Sequence, residues 1–562
     1  MTRDFKLLWG MAAAVVVAGS AVVASPAPAD SADDQVVHVL NRLGYGPRPG
    51  DVARVTAMGV DAYIEQQLHP ERVDDSALQQ RLAAFPTLTL SSAEINRDYF
   101  APAEAERQAQ RQAAAREGMT PAPPAPPTPS APQSSARQRE QQILQDLMQA
   151  KVVRAVASER QLEEVLTDFW FNHFNVFSGK GQVRAYLTSY ERDVIRPHVL
   201  GNFRDMLGAV AESPAMLFYL DNFQNVDPKA SQRQAEQLEA QRNRPVARAR
   251  QRQMTDEQRE QQDQRLMTLR NRGLNENYAR ELMELHTLGV DGGYTQADVV
   301  AVARAFTGWT IDRPRDGGSF QFNGQVHDND PKVVLGTTIK AGGKKDGEAV
   351  LDLLANHPAT AKFIATKLAR RFVADEPPAA LVDRVAKVFL DTKGDLRAVT
   401  KAVITSPEFF SAEYRRAKVK TPLEFVVSAV RATGATLVTP ASLVQALREL
   451  GMPLYGAQPP TGYGDTAEDW INTGALLKRL NFAIALAGAQ GQGRGQGQGQ
   501  LRGVRLTIRG MAPDTSEATR TRLIDTLIGT EVSTMTSTTL AKAESPQHLV
   551  ALTLGSPEFQ RR

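Results

Sequence analysis

Apolar residues recur at helical spacing over most of the chain, with few stretches of strict alternation. Residues 38–70 read as a short helix, a turn at Gly44-Tyr45-Gly46-Pro47 and a second helix. Val52, Val55, Tyr63, Ile64 and Leu68 form the apolar stripe of that second helix. A helix over 141–166 runs into Phe169-Trp170-Phe171-Asn172-His173-Phe174. In the segment opening at Asn275, Tyr278, Leu282 and Leu285 recur at i, i+4 and i+7, and Asn275 is placed to cap. Gly289 ends that helix, and Thr295 with Asp298 has capping-box spacing for a helix over 296–306. Over 361–373, Phe363, Ile364, Ala365, Leu368 and Phe372 share one broad face, with Lys362, Lys367, Arg370 and Arg371 elsewhere. Strand signals are few: 319–322 and 332–339 predict a small hairpin around a His327 loop. The expected fold class is mainly α, a large multi-helix globular body with a small β-hairpin and low-complexity inserts.

Three polar tracts interrupt this pattern. Ala, Gln, Arg and Pro dominate 101–139, a composition that buries too little apolar surface to offset its ordering entropy. The Gln/Arg-rich tract at 231–272 reads as a solvated helix or disordered insert, with a basic surface for an anionic partner as the other reading. The tract at 491–500 alternates Gly with Gln or Arg. At the N-terminus, Arg3 and Lys6 precede the apolar run 7–24, with small residues at Ala24 and Ala27-Pro28-Ala29. This predicts a cleaved export signal, with an uncleaved anchor as the alternative. A single arginine before the run does not support the twin-arginine route.

The resulting division is a signal or anchor at 1–29 and a helical part at 30–100. A linker or insert follows at 101–140, then a helical segment at 141–230 and a Gln/Arg-rich insert at 231–272. A helical core with the hairpin spans 273–490, a Gly/Gln linker 491–503, and a C-terminal helical segment 504–562.

Composition narrows the chemistry. With 562 residues, 42% hydrophobic and 23% charged, the chain is that of an ordinary globular protein. A formal net charge of +3 gives no reason to expect nucleic acid. The absence of cysteine excludes disulfides, thiolate metal sites and a cysteine nucleophile. The sequence contains no P-loop, no dinucleotide-binding glycine fingerprint, no His-Glu-x-x-His and no Gly-x-Ser-x-Gly.

The candidate polar cleft comprises His173, Asn277, Arg280, Glu281, Glu284, His327, Asp328 and Lys332. Glu281 and Glu284 have the spacing of two carboxylates on one helix face. His286 does not join them at 100° per residue, so no helix-borne motif supports the divalent metal that the carboxylates leave open. Glu276, Arg280 and Glu284 are equally well placed as a surface ion-pair ladder. His173, among aromatics, is either a core histidine or a neutral base or ligand. His327-Asp328 is either a functional loop or an Asx turn with an exposed histidine. The Gln458-Pro459-Pro460-Thr461-Gly462-Tyr463-Gly464 loop, with Trp470 downstream, is a candidate aromatic binding loop built on Tyr463 and Trp470.

Together these stretches resemble the bacterial domain-of-unknown-function 1800 family. The resemblance rests on 38–47, 169–174, 275–309, His327-Asp328 with Lys332, 357–372, Lys420-Thr421-Pro422-Leu423-Glu424-Phe425, and the Gln458 loop with Trp470. Gly462-Tyr463 stands where the family more often shows Gly-Trp. The resemblance implies a large, mostly helical, exported bacterial protein, and a partnership with an exported sulfatase-like protein. It assigns no catalytic residue. The function expected is that of an exported, periplasmic or secreted envelope protein of undefined activity. A metal-dependent or acid–base hydrolase and a non-catalytic binding or scaffold protein are the alternatives. Membrane contact is expected only through an uncleaved N-terminus.

Overall fold

The computed structural model describes residues 32–116, 135–251, 253–489, 501–529 and 532–562. The expected signal or anchor, the proline run at 121–127 and the Gly/Gln tract at 491–500 lie outside the described residues. The fold is mainly α, with three two-stranded antiparallel sheets among the described residues. No described helix is long and apolar enough to cross a membrane.

One continuous hydrophobic core runs from Val36 to Phe559. The segments that the polar tracts separate in sequence therefore share a single interior. The long helix Ser135–Ala157 carries apolar residues around much of its circumference, as a helix buried on several sides must. Leu147, Met148 and Val152 face the main core. Ala150 and Val153 pack with Leu78 and Leu82, and Ile143 packs with Ile95 and Phe100.

Several expected elements are subdivided. The helix expected across 51–68 is two, Asp51–Met58 and Val60–Leu68, parted at Gly59, whose φ of 87° no helix continues through. The helix expected over 141–166 breaks after Ala157 and restarts as Gln161–His173. Asp75 stabilises the break by accepting from Ser158 Oγ at 2.7 Å and Glu159 N at 3.0 Å. The stretch read as a linker or insert at 101–140 is helical at both ends, with Arg107 and Glu140 paired at 2.6 Å.

The expected pairing of 319–322 with 332–339 does not occur. Phe320–Phe322 pairs with Trp309–Ile311, and Lys332–Val334 pairs with Thr337–Ile339. Leu335 and Gly336 both adopt positive φ, the two-residue turn that gives Lys332–Val334 a local partner.

The Gln/Arg-rich tract is a helical excursion. Asp227 caps Pro228–Arg242, Thr255 caps Asp256–Asn271, and these two helices pack together. The Val226 N–H donates to the Gly273 carbonyl at 3.3 Å, so the excursion leaves and rejoins the body at adjacent points.

Trp309 is fully buried, with Phe306 and Phe320 rings 4.9 and 5.2 Å away. Gly347, in the helix Lys345–Ala355, lies so close that a Cβ there would sit 2.6 Å from the indole. Gly347→Ala is predicted to destabilise the fold by about 1–3 kcal/mol through overpacking. Denaturant unfolding reads this directly, and an unchanged midpoint would contradict the tight contact.

Candidate functional site

A cavity of about 330 Å³ opens between the end of Gln161–His173, the helix Pro358–Phe372 and the loop at 452–469. Two asparagines hold the loop in place. Asn172 donates to the Tyr463 carbonyl at 2.8 Å and accepts from the Tyr463 N–H at 2.7 Å. Asn175 donates to the carbonyls of Ala457 and Pro459 at 3.0 and 2.9 Å. The close approach requires Gly462, at φ +72°, because a Cβ would fall 2.4 Å from Asn172 Oδ1. The Tyr463 hydroxyl donates to the Pro453 carbonyl at 2.6 Å, and the Trp470 indole N–H to the Gly464 carbonyl at 3.0 Å.

Most charges lining this cavity are paired. Lys151 meets Asp168 at 2.8 Å, and Asp469 is occupied in the capping box that starts with Thr466. Arg371 turns to Glu424 at 2.5 Å, and Arg562 reaches the same carboxylate at 3.1 Å. Burial alone would push the Glu424 pKa up, but the two guanidiniums and the Thr421 N–H hold it at about 2. Asp465 lies 3.6 Å from Lys418 and 3.9 Å from Arg371.

Lys367 and Arg370 differ. Both line the cavity, three residues apart on one helix, and neither has an ion-pair partner among the described residues. Arg370 Nε donates to the Asp375 carbonyl at 2.9 Å. The Lys367 ammonium lies 5.5 Å from the centroid of the Phe363 ring. Burial, with Arg370 adding repulsion against the pull of Asp465, lowers the Lys367 pKa to about 8.

His173 lines the same cavity and is almost fully buried. Its Nε2–H donates to the His286 carbonyl at 3.1 Å, which leaves Nδ1 as a lone pair without a partner among the described residues. Its ring lies 6.3 Å from that of His286, whose two nitrogens likewise find no partner. Burial, reinforced by the charge of Lys367, holds both histidines neutral, His286 down at about 3.

Of the candidate cleft residues, His173 alone lines the cavity, joined there by Tyr463 of the aromatic loop. Trp470 braces the loop. Asn277 is exposed and donates to the Leu220 carbonyl at 3.3 Å. Arg280 pairs with Glu276 at 3.3 Å and donates to Gln296 at 2.9 Å. Glu284 accepts from the Tyr294 hydroxyl at 3.1 Å, so it does not extend the expected ladder. Burial and the neighbouring Glu284 raise the pKa of Glu281. The regular helix expected here stops at Glu281, and Leu282–Thr287 is a wider π turn in which the Leu288 N–H reaches back to the Met283 carbonyl. The angle of 100° per residue therefore does not apply. Observed contacts place His286 against Phe174 and His173, apart from the two carboxylates.

His327, Asp328 and Lys332 form a second group, buried and away from the cavity. His327 lies 2.8 Å from the Thr307 carbonyl and 3.1 Å from Asp346, which also pairs with Lys332 at 2.5 Å. Asp328 accepts from the Asp330 N–H at 2.8 Å, an Asx turn, and from Arg304 Nε at 2.6 Å. The turn is the expected one, but its histidine is interior and not exposed. Among the described residues, no three His, Asp or Glu side chains are grouped to hold a metal ion.

Fold and cavity define a mainly helical protein with a cation-lined pocket under a pinned aromatic loop. The family described as "Protein of unknown function (DUF1800)" matches residues 38–561, and the chain belongs to that family. Comparisons with curated proteins and with solved structures gave no significant match.

The buried histidines set the acid limit of stability. Burial, with Arg42 nearby, also lowers the His38 pKa to about 3. An unfolded chain protonates each of these histidines near pH 6.5 while the folded one does not, so stability falls as pH drops below that value. By pH 5 each is predicted to remove about 2 kcal/mol, whereas Glu424 contributes only below about pH 4.5. In unfolding measured from pH 7 to 5, His286→Leu should give a shallower loss by about one proton's slope. The same slope as the parent would mean that His286 titrates normally in the folded protein.

Proposed function

We propose that this is an exported protein whose cavity between the Gln161–His173 and Pro358–Phe372 helices binds an anionic small molecule or an anionic group of a larger one. The carrying observation is the pair Lys367 and Arg370, which make no ion pair among the described residues at a cavity where Lys151, Asp168 and Arg371 are paired. Both side chains are half-buried, and an anion entering the cavity would give them the charge-assisted hydrogen bonds that they otherwise lack. Phe169, Phe171, Met452 and Leu454 add apolar wall, which suits a ligand with a short hydrocarbon or ring portion.

Export is supported by Arg3 and Lys6 ahead of the apolar run at 7–24. The sulfatase-like exported partner implied by the family resemblance fits the same reading, because such proteins handle anionic esters. Resemblance alone supports that partnership.

Calorimetry and thermal unfolding with sulfate, phosphate and pyruvate test the pocket. At least one anion should bind and raise the melting temperature, since a ligand specific to the folded state stabilises it. Lys367→Met and Arg370→Met should each weaken that binding about tenfold or more, the scale of one charge-assisted hydrogen bond. If no anion shifts the melting curve, or both variants bind like the parent, the reading is wrong.

A further inference from the structure

We infer that Lys367 is a nucleophilic amine that condenses with the carbonyl of an oxo acid whose carboxylate is held by Arg370. This rests on the anion-binding reading and deepens it by naming the ligand class.

Three lysines near the cavity can be compared. Lys151 is bound to Asp168, and Lys418 to Asp375 at 2.5 Å, so both amines are held by a carboxylate in an ion pair. Lys367 makes no ion pair and no hydrogen bond among the described residues, and it borders open volume beside the Phe363 ring. Desolvation in an apolar surrounding is how a lysine becomes a nucleophile. With its pKa lowered from 10.5 to about 8, its uncharged fraction at neutral pH exceeds that of an ordinary lysine by several hundredfold.

Arg370 supplies the other half. One helical turn further along, its guanidinium has the planar donor geometry that matches a carboxylate. A cation fixed beside an amine that gives up its proton distinguishes a ligand carrying both an anion and an electrophilic carbon. The histidines in the neighbourhood, His173 and His286, are neutral and do not compete for the anion.

In the reaction the free amine of Lys367 attacks the carbonyl carbon, forming a C–N bond as the C=O π bond opens. One N–H proton passes to the carbonyl oxygen, and the second follows it when that oxygen leaves. The carbinolamine then loses that oxygen as water and leaves a C=N bond to Nζ. One water is released for each adduct, and nothing is oxidised or reduced.

The test uses the full chain with pyruvate and sodium cyanoborohydride near pH 7.5, followed by intact-mass and peptide mass spectrometry. Pyruvate should give one dominant adduct, at Lys367. Acetone, with the same carbonyl but no carboxylate, should label that position at least about tenfold more slowly. Arg370→Met should erase the preference for pyruvate. Lys367→Arg should keep anion binding in calorimetry and lose the adduct. Labelling spread over exposed lysines, with Lys367 no faster than the others, overturns the inference. If sulfate or pyruvate binds at Lys367 and Arg370 without an adduct, only the condensation fails. If neither anion binds, the anion-binding reading fails with it.

Discussion

One oxygen of the Glu424 carboxylate closes the first turn of its own helix by accepting from the Thr421 N–H. The other meets Arg371 and Arg562, both buried. This joins three distant parts of the sequence, because Arg562 also donates to the Arg371 carbonyl. Breaking such a buried pair costs about 3–5 kcal/mol, since the remaining charge is left without a partner. The arrangement also sorts the cations of a single helix. Arg371 spends its charge inward on Glu424, while Lys367 and Arg370 present theirs to the cavity. Were Arg371 unpaired, nothing would distinguish the cavity cations from a general excess of positive charge.

Much of the local structure was legible because it depends on neighbours in sequence. Thr295 and Asp298 form the expected capping box, and Gly289 takes a positive φ. The π turn at Leu282–Thr287 was not legible, since its spacing of apolar residues reads as an ordinary helix. Its support comes from Thr287, whose hydroxyl donates to the Leu282 carbonyl at 2.7 Å. Strand pairing was misread because the Leu335-Gly336 turn gives Lys332–Val334 a nearer partner than Phe320–Phe322.

The site was legible only in part. His173 and the Tyr463 loop stand out in sequence by their aromatic and turn residues, and both border the cavity. Lys367 and Arg370 look like the polar side of an amphipathic helix. Only the tertiary placement of the 452–469 loop over that side turns a solvent face into a wall. Conversely, His327, Asp328 and Lys332 are conspicuous residues whose partners, Thr307, Asp346 and Arg304, lie within the fold. A polar motif read without its partners does not reveal whether its hydrogen bonds are already spent.

The excursion between Val226 and Gly273 has a different consequence. Its two ends are bridged by one backbone hydrogen bond, and its main helices pack chiefly on each other. Its further ties to the body lie near its start, where the Asp227 N–H donates to the Val326 carbonyl at 2.8 Å and Lys229 pairs with Asp330 at 2.8 Å. Such a junction is a natural grafting point: a shorter loop, a longer hairpin or a foreign module can be exchanged there while the cavity keeps its walls. Chains built on this plan are free to diverge in outline while keeping the same interior.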